Sequence, residues 1–295
     1  MSPAATATGP RLDVRKTYKL YIGGAFPRSE SGRTYVVRGA DRRFLANAAL
    51  ASRKDARDAV VAARKAVPGW SGATAYNRGQ VLYRVAEMLE GRRDQFAREV
   101  ADAEGLGKGR ALAVVDAAVD RWVWYAGWTD KIAQVVGGAN PVAGPYFNLS
   151  TPEPTGVVAV LAPQDSSLLG LVSVLAPVLA GGNTAVVVTS KDRPLPAVTL
   201  GEVFATADVP AGVVNLLTGD AAELGPWLAE HADVDGIDLT GAPPKRVMEF
   251  ERSAAGTIKR VVRPELPEPD WTADPGLGRM TPFLETKTVW HPIGV

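Results

Sequence analysis

The stretch from Thr155 to Gly241 constrains the fold most. It holds four segments that read as strands, "GVVAVLAP", "NTAVVVTS", "GVVNLLTG" and "VDGIDLTG", the first of them continuously apolar. Three segments of helical length separate them: "SLLGLVSVLAPVLAGG", "LPAVTLGEVFATADVP" and "AAELGPWLAEHAD". Apolar runs that do not alternate belong to strands covered on both faces. Strand–helix alternation then predicts an α/β fold with a doubly wound parallel sheet and right-handed crossovers. Ligands of such sheets sit outside the carboxyl ends of the strands. The loop "APQDSS" therefore falls where site residues are expected, yet Gln164, Asp165, Ser166 and Ser167 have no cysteine, histidine or lysine beside them.

The segment before this core reads as helical. Ala56, Ala59, Val60 and Ala63 recur at helical spacing, with Ser52 and Asp55 in capping-box positions and Pro68-Gly69 as a stop. A second helix is predicted over Ala75–Glu104, with Val81, Leu82, Val85, Met88, Leu89, Phe96 and Val100 on its apolar face. A third, "RALAVVDAAVDRWVWYAGWTDKI", carries Trp122, Trp124, Tyr125 and Trp128, read as packing groups. Upstream, "YIGGAFPRSESGRTYVVRGA" predicts a small antiparallel hairpin turning at Gly23-Gly24 and Ser31-Gly32. Residues 1–17 read as a disordered tail.

Two stretches break the pattern. Residues 135–155 show a hairpin signal around Gly137-Gly138 and Pro141 to Gly144. Residues 261–282 hold five prolines and read as an extended linker unable to form a core element. After it, residues 283–295 regain strand character through Thr286, Thr288, Val289 and Trp290. A strand placed there must pair with an edge.

Composition removes several chemistries. There is no cysteine, so disulfides, thiolate metal sites and a cysteine nucleophile are excluded. The two histidines, His231 and His291, are too few for a histidine metal site or an ordinary Ser-His-Asp triad. His231 is expected at a helix C-terminus, where an imidazolium suits the dipole, and His291 as a strand contact. A formal net charge of +1 gives no field for nucleic acid or membrane. No run is apolar enough to span a bilayer. Without a secretion signal in its opening residues, the chain is expected in the cytoplasm.

Seven segments in register resemble the aldehyde dehydrogenase superfamily. They are "YIGGAF", "DARDAVVAARKAVPGWSGATAYNRGQVLYRVAEMLEGRRDQFA", "YAGWTDKI", "EPTGVVAVLAP", "LAPVLAGGNTAVVV", "VPAGVVNLLTG" and "HADVDGIDLTG". The resemblance covers residues 18–245 and implies a Rossmann-like cofactor domain over 18–134 and 156–260. Residues 135–155 are similar to the family's oligomerisation sheet, and "FLETKTVWHPIG" to its last strand. The family's catalytic domain would lie between Gly241 and Phe283, where this chain has about forty residues.

The resemblance also implies degenerate sites. The family attacks the aldehyde with a cysteine, and neither that nucleophile nor its glutamate base has a counterpart here. Asp165 stands for the asparagine that donates to the oxyanion. Losing one such donor costs roughly 3–4 kcal/mol of transition-state stabilisation, and an ionised carboxylate would repel the oxyanion as well. Val188 and Lys191 stand for the lysine and glutamate that bind the adenosine ribose. In "GAPPKR", Ala242 replaces a pyrophosphate-binding serine and Arg246 the last glycine, while two prolines remove backbone N–H donors. Ser166 and Ser167 have no base identifiable in sequence, and Glu104 and Lys108 read as structural.

No catalytic, cofactor or metal site is therefore expected. The leading expectation is a non-catalytic subunit that pairs by β-strand with a full-length aldehyde dehydrogenase paralogue. NAD or NADP would be held by that partner, and Tyr146, Phe147, Thr288, Val289 and Trp290 would form the interface. The alternative is an NAD(P)-dependent aldehyde oxidoreductase component or a nucleotide-binding sensor using Lys191, Lys245 and Arg246.

Overall fold

The computed structural model describes residues 16–294; most of the segment read as a tail, residues 1–15, lies outside the described residues. The elements run in the order β1 (Thr34–Arg38), β2 (Phe44–Ala49), α1 (Arg53–Gly72), α2 (Ala75–Glu90), α3 (Arg93–Glu104), α4 (Lys108–Trp128), α5 (Ile132–Val136), β3 (Gly138–Ala139) and β4 (Tyr146–Pro154). Then follow β5 (Val157–Leu161), α6 (Leu169–Ala180), β6 (Thr184–Val188), α7 (Leu195–Thr206), β7 (Val214–Leu217), α8 (Ala221–Glu230), β8 (Gly236–Asp238), α9 (Val247–Ala255), β9 (Arg260–Val262) and β10 (Leu284–Pro292).

The central sheet is parallel, in the order β7-β6-β5-β8-β9. Strand order reverses beside β5, so the switch point of this doubly wound sheet lies between β5 and β8. Side chains alternate between two cores, as the period of two requires. Val158, Val160, Ala185 and Val187 face a core shared with α4, α6 and α7. Val157, Ala159, Leu161, Val186 and Val188 face a second core shared with α1, α8 and α9. Trp122 and Tyr125 are fully buried packing groups, and Trp122 meets Phe204 edge-on with ring centroids 5.8 Å apart.

The structure corrects several expectations. Ser52 and Asp55 do form a capping box, but α1 runs past Pro68 to Gly72. Trp70 explains the extra turn: it is buried, and its indole N–H donates to Leu179 O at 3.1 Å. The single helix expected over Ala75–Glu104 is two. Gly91 closes α2, and Arg92 leaves helical geometry with its guanidinium 3.0 Å from Glu202. The hairpin expected within residues 18–40 is displaced. Ile22 and Ala25 bridge across Gly23-Gly24, while β1 pairs with β2 around a turn at Asp41-Arg42.

The proline-rich segment differs most. Its first residues close the central sheet as β9, with Ile237 opposite Val261. Its end is packed: Met280 is 1% exposed, as is Phe283 just after the segment. The Phe283 ring lies on Gly236, where an added Cβ would come within 2.7 Å of it. Prolines block internal hydrogen bonding but do not stop single apolar anchors from reaching a core, which is why the linker reading fails there.

The second sheet has the order β10-β4-β3. β10 pairs along all nine residues of β4, from Leu284 opposite Pro154 to Pro292 opposite Tyr146. β3 pairs at only two positions. The outer edge of β10 has no strand beside it among the described residues.

Candidate functional site

The carboxyl ends of β5, β6, β7 and β8 feed four loops, and their polar groups are spent on one another. Gln164 Nε2 donates to Ala162 O at 2.7 Å, and its Oε1 accepts from Lys191 N at 3.2 Å. Ser190 Oγ donates to Gln164 O at 2.8 Å. Arg193 donates to Asp165 O and lies 3.6 Å from the Asp165 carboxylate. That carboxylate is exposed.

Ser167 has a carboxylate that the sequence did not disclose. Its N–H and its hydroxyl both donate to Glu104 Oε1 at 2.6 Å, from the C-terminus of α3. Ser167 is only 2% exposed, so the hydroxyl is closed to a substrate. The pair pins the loop to α3. The sixty-three positions between the two residues explain why no local pattern could reveal it. Glu104→Ala should lower stability by about 2–3 kcal/mol, since it strands two donors. Urea unfolding measures this, and a loss below about 0.5 kcal/mol would contradict the pinning role.

The presumed ribose positions separate. Val188 ends β6 inside the packed core and does not reach the loops. Lys191 does reach them, and its ammonium pairs with Asp220 at 2.7 Å. The hydrogen bond to Asp220 raises the Lys191 pKa. Asp220 also caps α8 through Ala222 N at 2.8 Å. The cation is thus consumed within the protein.

The turn after β8 is closed in the same way. Gly241 presses against β5, where a Cβ would lie 1.7 Å from Ala162 O, so no other residue fits. Ala242 is buried and its N–H donates to Leu239 O. Pro243 and Pro244 have no N–H, and Arg246 N donates to Pro243 O. An anion at this helix start would find few free donors. The Arg246 guanidinium pairs with Glu249, donates to Ala222 O and lies over the Phe250 ring. Lys245 is exposed.

His231 caps α8 in a different state from that expected. Its Nδ1 accepts from Asp233 N at 3.0 Å, and burial lowers its pKa. An acceptor nitrogen requires a ring unprotonated at that position, in keeping with the lowered pKa. His291 sits opposite Phe147 in the ribbon. No group of metal-ligating side chains occurs among the described residues, and no helix among them is long and apolar enough to cross a membrane.

The β4–β10 ribbon carries the five residues singled out for an interface. Phe147 and Leu149 share one face with Val289 and His291, because directly opposed residues point the same way. Tyr146 and Trp290 meet edge-on at 5.8 Å on the other face, beside a Ser150–Thr288 hydroxyl pair at 2.8 Å. Phe147 is 47% exposed and Trp290 57%.

The parallel sheet, with its order reversing beside β5, defines a Rossmann-like α/β fold. The model of the aldehyde dehydrogenase family matches residues 26–263, and the chain belongs to that family. It is 32% identical over 263 residues to mouse cytosolic 10-formyltetrahydrofolate dehydrogenase, covering 85% of this chain and 28% of that one. It is 34% identical to the Leishmania tarentolae protein named mitochondrial aldehyde dehydrogenase, covering 82% and 49%. The NAD+ complex of a Bacillus cereus aldehyde dehydrogenase superposes with a TM-score of 0.76 at 28% identity, over 83% of this chain and 50% of that one. The chain thus spans half or less of the length of these relatives.

Proposed function

We propose that this chain is a non-catalytic aldehyde dehydrogenase-like subunit that assembles with a full-length aldehyde dehydrogenase and stabilises or regulates it. The observation that carries the reading is the β4–β10 ribbon. It presents a nine-residue edge strand and a row of exposed apolar groups on a molecule with no cysteine. An open edge flanked by apolar side chains suits strand addition, with main-chain bonds for affinity and side chains for specificity. In the family that chain order resembles, this sheet extends one in the neighbour's catalytic domain. Only about forty residues separate Gly241 from Phe283, too few for such an acceptor domain. A full-length relative would offer the acceptor and hold the NAD or NADP.

The test is thermal inactivation of a full-length aldehyde dehydrogenase from the same cell, with and without an equimolar amount of this chain. A several-fold longer half-life or a shifted KM supports the proposal; unchanged kinetics and half-life count against it. The second reading, a nucleotide-binding component, is weakened by the Lys191–Asp220 and Arg246–Glu249 pairs. Titration calorimetry of this chain with NAD and NADP should give no binding at millimolar nucleotide. Micromolar binding would favour the second reading.

A further inference from the structure

We propose that the small N-terminal sheet carries a binding site for a short polyphosphate chain. A cavity of about 250 Å³ opens on one face of it. The strand period of two explains how the cavity forms. Ala46 and Ala48 of β2 turn into a small core, so Asn47 and Ala49 belong to the opposite face. Thr34 lies opposite Ala49, and Tyr18 is bridged to Ala48. That register brings Thr34 from one side, and Thr17 and Lys19 from the other, round the same cavity. Ala49 and Gly32 leave it open, and nothing lies within 4 Å of where a Cβ on Gly32 would stand.

The charge of the lining is one-sided. Lys19, Arg28 and Arg33 line the cavity, and no carboxylate does. None of the three is paired with a carboxylate among the described residues. The carboxylates next to this turn are engaged elsewhere. Asp55 accepts from Ser29 Oγ at 2.7 Å, from Ser52 N at 2.8 Å and from Glu30 N at 3.0 Å. Glu30 lies 3.4 Å from the Lys54 ammonium and accepts from Ser52 Oγ at 3.2 Å. Thr17, Thr34 and Asn47 add side-chain donors to the lining that have no partner among the described residues.

These features set the class of ligand. An exposed ion pair contributes little by itself, so a lone phosphate gains too little to be held. A ligand must meet all three cations together, and contiguous phosphates do so while matching the planar forks of Arg28 and Arg33. The cavity is smaller than the roughly 300–1,000 Å³ of drug-sized sites, which suits a short inorganic chain. It offers no open aromatic face for a base, because Tyr18 is 9% exposed and the Lys16 ammonium lies over its ring at 4.6 Å. Dinucleotides have at most two contiguous phosphates and are not expected here. The lining includes no residue of the β4–β10 ribbon or of the loops that follow the central strands, so the site stands or falls independently of the pairing proposal.

Calorimetry of the full chain with sodium tripolyphosphate tests it, in metal-free buffer at about 0.15 M salt, with orthophosphate and ATP as comparison probes. Tripolyphosphate should bind with a dissociation constant at or below about 1 mM and at least about tenfold more tightly than orthophosphate. ATP should bind no more tightly than tripolyphosphate, since its base finds nothing to stack on. The double variant Arg28→Gln, Arg33→Gln should weaken tripolyphosphate at least about tenfold by removing both forks. Both side chains are exposed and unpaired, so its melting temperature should hold. Arg110→Gln removes an exposed arginine of α4 outside the cavity and should change the affinity less than about twofold. Absence of tripolyphosphate binding at millimolar concentration, equal binding of orthophosphate, tenfold tighter binding of ATP, undiminished binding by the double variant, or an equal loss in Arg110→Gln would each overturn the assignment.

Discussion

Replacing Phe147 and Val289 by glutamate is expected to abolish assembly with a full-length aldehyde dehydrogenase while leaving this chain folded. The two residues lie on the same face of the ribbon, on neighbouring strands. Neither belongs to the packed cores, and Phe147 is 47% exposed, so each carboxylate would be hydrated in the free chain. In a complex both would be forced out of water against an apolar partner surface. Interface anchors are worth about 2–4 kcal/mol each, and buried unpaired charge adds to that. The affinity should fall at least about 100-fold, which is about 2.7 kcal/mol. The melting temperature of the free chain should move by no more than about 2 °C, as for other surface changes. Undiminished binding by the double variant would remove this face from the interface.

The second large effect concerns the segment that stands where a catalytic domain would be expected. Phe283→Ala should destabilise the chain by about 3–5 kcal/mol, the usual cost of a vacated aromatic site in a core. The ring fills the space over Gly236 in β8. The backbone at Phe283 is held as well, since its carbonyl accepts from Thr155 N at 3.2 Å and from Asn183 Nδ2 at 2.9 Å. Phe283 thus anchors the start of β10, and loss of its side chain should also speed hydrogen exchange along Leu284–Pro292. Urea unfolding reads the first effect as a lower midpoint with unchanged slope. A loss below about 1 kcal/mol would mean that the ring is not part of the core.

The parallel sheet was legible because β5 and β6 are almost wholly apolar and glycine or proline signals separate the strands from the helices between them. The capping box at Ser52 and Asp55 was legible because its chemistry is local. What escaped the sequence were long-range effects. Pro68 should have stopped α1, but the burial of Trp70 carries the helix onward. Arg92 ends the continuity of α2 and α3 through Glu202, more than a hundred positions away. β9 is only three residues long and merges into the proline-rich stretch, so only its neighbour β8 defines it. The loops of the site followed the same rule. The unfavourable residue types at Asp165, Lys191, Ala242 and Arg246 were visible in sequence. The distant partners Arg193 and Asp220 needed the fold, as did the Ser167–Glu104 contact.

The central claim is that this chain works through association with a longer relative. Light scattering coupled to size-exclusion chromatography, on the chain co-expressed with a full-length aldehyde dehydrogenase from the same cell, tests it most directly. The account predicts a single species whose mass is a whole-number sum of both chains, and no stable homodimer of this chain alone. Separate elution of the two proteins, with this chain forming a homodimer of its own, would contradict it.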